Sequence, residues 1–130
     1  GVQTCALPIS AGNARPGYYE KTRPFTVTYG LVKQGNGSDC GTEAMLATFS
    51  TTNTIQESAI ILPQPDSGFG IAISPNASMH PLIEMNAPIH FKLATGATLA
   101  STYTAGLLWL SRTPKLGPFS ATAKITVTFE

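Results

Sequence analysis

Seven or eight short strands packed as an antiparallel β-sandwich, with no helix, are what this sequence predicts, and three observations carry the prediction. Residues 119–130 alternate without a break: Phe119, Ala121, Ala123, Ile125, Val127 and Phe129 are apolar, while Ser120, Thr122, Lys124, Thr126, Thr128 and Glu130 are polar. Successive side chains of a strand point to opposite faces, so this is one long strand with a dry side and a wet side. Turn signals recur every 8 to 15 residues along the chain, the spacing of an all-β sandwich. Thr, Ser, Gly and Pro are abundant and Glu, Lys and Gln sparse, which suits strands and turns better than helices.

Taken in order, residues 1–9 (GVQTCALPI) do not continue the pattern that follows and resemble the translation of a sequencing-library adapter. They are set aside, with residues 1–10 expected to be an artefact or a disordered lead-in and 11–130 a single domain truncated at its N-terminus. Residues 10–23 hold Gly12, Pro16 and Gly17 without an apolar period and read as loop. Pro24 then opens Phe25-Thr26-Val27-Thr28-Tyr29, an alternating strand with Phe25, Val27 and Tyr29 inward. A turn-rich loop, Gly35-Asn36-Gly37-Ser38-Asp39, ends at Cys40. In residues 43–50, Met45, Ala47 and Phe49 share one face.

Ala59 to Leu62 is a short apolar run stopped by Pro63 and Pro65, and Asp66-Ser67-Gly68 turns the chain into a strand with Phe69, Ile71 and Ile73 inward. Residues 82–85 read as a weak strand. Ile89-His90-Phe91-Lys92-Leu93 alternates cleanly, and residues 94–101 read as a turn. In residues 103–110, Tyr103, Ala105, Leu107 and Trp109 lie on one face with Leu108 and Leu110 opposite. The last strand alone, burying Phe119, Ile125, Val127 and Phe129, would contribute roughly 6 to 12 kcal/mol, so the C-terminus is expected to be docked rather than frayed. The sandwich is expected to be of immunoglobulin-like type.

Composition excludes several functions. With a net charge of +1 and 12% charged residues, the scattered Lys and Arg make neither a nucleic-acid surface nor a polybasic membrane patch. The longest apolar run, around residues 107–110, is far short of the roughly 20 residues a membrane-spanning helix requires, so no membrane insertion is expected. Two cysteines are present. A Cys5 to Cys40 disulfide would close a loop of about 35 residues and contribute on the order of 3 to 4 kcal/mol; if residues 1–9 are foreign, the native partner of Cys40 lay upstream; a lone thiol is the third reading.

The C-terminal third also carries a resemblance. Tyr103-Thr104-Ala105, then Gly117-Pro118-Phe119-Ser120-Ala121, then the alternating run to Phe129 resemble the pilin subunits of chaperone-usher pili, the fimbriae of Gram-negative bacteria. Such chains typically end with a penultimate aromatic and a glycine fourteenth from the end, the places of Phe129 and Gly117 here. Phe25-Thr26-Val27 leading to Cys40, Ala47-Thr48-Phe49 and Gly68-Phe69-Gly70-Ile71 are similar to the family's middle section. The resemblance covers roughly residues 24–130.

It implies an immunoglobulin-like sandwich lacking its final (G) strand, with a groove walled by Phe119, Ala121, Ala123, Ile125, Val127 and Phe129. A periplasmic chaperone first lends a strand there; at an outer-membrane usher, the N-terminal extension of the next subunit replaces it. Gly117 and the groove positions are thereby implied as chaperone and usher recognition residues. The chain would pass through the periplasm to an extracellular pilus as a structural subunit. The alternative is the C-terminal pilin domain of a two-domain tip adhesin whose receptor-binding domain lies upstream.

No catalytic set, cofactor site or metal site emerges, and no enzyme activity is expected. His80 and His90 are ten apart, one beside a proline in a loop and one on the polar face of a strand, too little for a metal centre. Ser67 and Asp66 share a turn, with no nucleophile elbow. Asn76-Ala77-Ser78 fits the glycosylation triplet, which bacterial secretion would leave idle. Trp109 reads as core rather than as a sugar-stacking surface, and Tyr18 and Tyr19 as cover for an edge.

Overall fold

In the computed structural model, which describes residues 2–5, 12, 14–30, 42–94, 96 and 98–130, two antiparallel sheets face each other. Strands β1 (Val2–Cys5), β9 (Ala121–Phe129), β3 (Thr42–Ser50) and β7 (Pro88–Ala94) form one sheet in the order β1-β9-β3-β7. The other has the order β2-β8-β6-β5-β4, from β2 (Tyr19–Gly30), β8 (Thr98–Trp109), β6 (Phe69–Ser74), β5 (Ile60–Leu62) and β4 (Thr54–Gln56). Among the described residues no helix is long and apolar enough to cross a membrane. Cys40 and the loop before it lie outside the described residues.

The inward faces are those the alternation selects. Tyr29 of β2, Met45, Ala47 and Phe49 of β3, Phe69, Ile71 and Ile73 of β6, Tyr103, Leu107 and Trp109 of β8 and Ile125 of β9 are buried in one core. A second, smaller cluster of Ile60, Leu62 and Leu108 lies apart from it, with half-buried Tyr19 and Leu110 against it. It explains the unbroken apolar runs: every residue of β5 and β6 is buried, because these strands are covered on both faces.

Besides β1, a strand within the residues set aside in the sequence reading, four elements differ from that reading. β2 begins at Tyr19 rather than after Pro24, with a register shift between Tyr19 and Lys21; β2 is an edge strand, where a missing N–H is tolerated. β8 begins at Thr98 rather than Tyr103, because residues 98–102 pair with residues 26–30 despite their polarity. β4, with Ile55 as its only large apolar residue, was not expected. Residues 82–85 are no strand: the Ile83 N–H donates to the Ile73 carbonyl at 2.7 Å and the Met85 N–H to the Ser58 carbonyl at 2.8 Å, so Ile83 and Met85 are buried by a connection rather than by a ladder.

The hydroxyls of Tyr29 and Tyr103 meet inside the sandwich at 3.4 Å. Burial, and secondarily this hydrogen bond, push the Tyr29 phenol well above its ordinary value of 10.0. The folded chain therefore keeps a proton that the unfolded chain releases, so the stability this group contributes is complete below about pH 10 and declines as pH rises beyond it. Tyr29→Phe is expected to flatten that alkaline decline, as read from chemical unfolding at a series of pH values.

Candidate functional site: the outer edge of the last strand

β9 is fixed at its start by side chains and along its length by β3. Phe119, just before the strand, is half-buried and lies edge-on to Phe69 with ring centroids 4.9 Å apart. The Thr51 hydroxyl donates to the Thr122 carbonyl at 2.5 Å, the Thr122 N–H donates to Asn53 Oδ1 at 3.4 Å, and Asn53 Nδ2 donates to the Leu62 carbonyl at 3.2 Å. These two polar residues continue the ladder where β3 stops and tie β9 to the opposite sheet. From Lys124 to Phe129 the partner is β3, running from Ser50 back to Met45. The chain end is held as well: the Glu130 N–H donates to the Ala44 carbonyl at 2.9 Å, and the Glu130 carboxylate meets His90 Nδ1 at 2.6 Å.

The other edge of β9 is divided. Over its first four residues it pairs antiparallel with β1, in the register Val2↔Lys124, Gln3↔Ala123, Thr4↔Thr122 and Cys5↔Ala121. The position expected to stand empty beside the last strand is therefore taken, over that half, by the same chain. Beyond Ile125 no strand covers it among the described residues.

The residues expected to wall a groove divide at the same place. Ala121, Ala123 and Ile125 are buried, Ile125 at 8% exposure, whereas Val127 is 38% and Phe129 62% exposed. Gly117 is exposed, and a Cβ there would meet nothing within 4 Å, so packing does not require a glycine at that position. A shallow cleft of about 380 Å³ lined by Pro63, Gln64, Pro118, Phe119 and Ser120 opens beside the start of β9.

Other edges differ in chemistry. β2 carries Lys21, Arg23 and, mid-strand, Pro24; β7 carries Pro88, His90 and Lys92; β1 and β4 are four and three residues long. Prolines, charges and short length are what discourage pairing with a further strand. Residues 126–129, Thr-Val-Thr-Phe, have none of these and favour extended backbone. Thr51, Asn53 and the His90 to Glu130 pair were missed as supports of β9; only the Thr51-Thr52-Asn53 turn composition hinted at the first two. His80, on the surface, lies in a loop whose Asn76 side chain donates to its carbonyl at 2.5 Å.

The same architecture occurs in solved fimbrial structures. The rod subunit PapA of the P pilus superposes with a TM-score of 0.69 at 16% identity, covering 95% of this chain and 89% of that one. A Burkholderia pseudomallei antigen and type I fimbria protein gives 0.62 at 14% identity, covering 98% and 97%. The CupB6 tip adhesin of Pseudomonas aeruginosa gives 0.61 at 17% identity, over 88% of this chain and 31% of that longer one. At such identities these likenesses speak for the fold, an immunoglobulin-like sandwich. No curated protein is similar enough in sequence to count as a match. The sequence profile of fimbrial proteins, however, matches residues 10–130, nearly the whole chain, and on that match this sandwich with its half-covered last strand belongs to the fimbrial protein family, a structural family and not one of enzymes.

Proposed function

We propose that the chain is a structural subunit of a chaperone-usher pilus that joins its neighbours by accepting a β-strand along the outer edge of β9. The observation that supports this reading best is the bare stretch of residues 126–129: it has no strand on its outer side among the described residues, it lacks the prolines and charges of the other edges, and Val127 and Phe129 stand out of the core beside it. An added strand would pair with backbone groups and cover both side chains. A periplasmic chaperone would lend the first such strand, the outer-membrane usher would exchange it for a segment of the next subunit, and the product would be an extracellular pilus. Gly117 and the alternating residues from Phe119 to Phe129 are the surface these partners would read.

The likeness to a tip adhesin over about a third of that protein's length supports a second reading, the C-terminal pilin domain of an adhesin, which uses the same edge. A synthetic peptide with alternating apolar residues tests what the readings share. At about a hundredfold excess over its Kd, binding to the folded chain alone would add about 2.7 kcal/mol and raise Tm on the order of 10 °C. A Tm unmoved by any such peptide would sink both.

A further inference from the structure

We infer that the cleft between the connection of residues 75–88 and Tyr103 is a binding site for a small organic amine, an apolar ring on a short arm whose protonated ammonium pairs with Glu84. The cleft lies apart from the strand-accepting edge, because β3 separates β7 from β9. It does not depend on the function proposed above.

The cleft has a volume of about 390 Å³, toward the small end of the range for small-molecule sites. Its walls are formed before anything binds. The connection is pinned at four points: the Ile83 N–H donates to the Ile73 carbonyl, the Met85 N–H to the Ser58 carbonyl, the Asn86 N–H to the Phe49 carbonyl at 2.6 Å and the Ser74 hydroxyl to the Pro81 carbonyl at 2.7 Å. Tyr103 is equally fixed, with Phe49 edge-on to its ring at 5.2 Å, Phe25 at 5.7 Å and the Tyr29 hydroxyl at 3.4 Å from its own. Walls held in this way lose little conformational freedom when a ligand arrives.

The chemistry of the lining selects the ligand. Pro75, Pro81, Pro88 and Ile89 are apolar wall, and Glu84 is the only charged residue. A proline has no N–H to offer, the Ile83 N–H is committed to Ile73, and the Tyr103 hydroxyl meets Tyr29. The lining is thus poor in donors and presents a carboxylate. Anions need donors and sugars need both kinds of group, whereas an ammonium needs acceptors alone.

Glu84 itself is exposed and has no ionic partner among the described residues. A ring seated against the prolines would take apolar surface out of water. Its ammonium would then reach the carboxylate from the drier side, where their attraction is less screened. An extended peptide fits less well, since β7 enters the cleft at Pro88, which cannot donate to an added ladder.

The test titrates the full chain with 2-phenylethylamine and with two relatives of similar shape, the neutral 2-phenylethanol and the anionic 3-phenylpropanoate, following backbone amides by NMR. The amine is expected to shift the amides of Ile83, Ala87 and Ile89 saturably, with a Kd on the order of 1 mM. The alcohol is expected to bind about fivefold more weakly, and the carboxylate not measurably. Glu84→Gln is expected to bring the amine down to the affinity of the alcohol, and Ala87→Leu, which narrows the cleft, to abolish the shifts; Tm of each variant checks folding. Shifts that fall elsewhere or do not saturate overturn the inference. So does a carboxylate that binds as well as the amine, or an amine affinity indifferent to Glu84→Gln.

Discussion

Replacing Trp109 with alanine is expected to cost about 4 kcal/mol of unfolding free energy, measured by urea denaturation. Trp109 is the largest of the fully buried side chains, at 1% exposure. Its ring stands edge-on to Phe69 at 6.1 Å, and its Nε1–H donates to Glu20 Oε2 at 3.3 Å. Its backbone N–H donates to the Tyr18 carbonyl, and its carbonyl accepts from the Gly17 N–H. β8 lies between β2 and β6, so the strand is held on both sides and cannot slide to fill the hole. The Glu20 carboxylate would also lose its donor, which adds to the cavity term. Against a total stability of about 5 to 15 kcal/mol, the variant would be marginal. A measured loss below about 2 kcal/mol would mean that the two sheets collapse onto the gap.

Gly70→Ala, one methyl group, is expected to cost about 3 kcal/mol and lower Tm on the order of 10 °C in a thermal melt. The added carbon would lie 2.4 Å from Ile60 Cγ2, 3.0 Å from the Ile61 carbonyl oxygen and 3.2 Å from Leu62 Cδ2. Neither of the first two can move cheaply. Ile60 is β-branched and stiff at its first torsion, and Ile61 pairs in register with Ile55 on one side and Ile71 on the other. Since one clash is with a removable atom, Ile60→Ala is expected to recover part of the loss in the double variant, a coupling of the kind contacting residues show. Additive losses would place the strain in the backbone instead.

These two sites show what sequence alone discloses and what it withholds. Alternation identified the inward residues of β3, β6, β7, β8 and β9, because a half-buried strand imprints its two faces on the chain with period two. It failed where burial has another source. Ile83 and Met85 are two apart and buried, yet they plug the core from a connection. Residues 19–24 and 98–102 are polar but pair with each other's strands, since backbone hydrogen bonding leaves no mark on side-chain composition. Gly70 reads as an ordinary strand glycine until Ile60 is placed against it.

The candidate site was legible to the same degree. The dry face of β9 could be read from Ala121 to Phe129, with Phe119 ahead of it, but not that Val127 and Phe129 alone among these residues would stand clear of the core. That depends on which strands lie alongside, and a pairing four residues long between Val2–Cys5 and Ala121–Lys124 has no local signature.

Pro24, Pro88 and the shortness of β1 and β4 also bear on geometry at a larger scale. On the proposed function, the half-bare edge of β9, beside edges guarded among the described residues, would give each molecule a receptor valence of one. Bodies joined through such a seat would then string into an unbranched thread of uniform polarity, with a single growing tip, rather than spread sideways into ribbons.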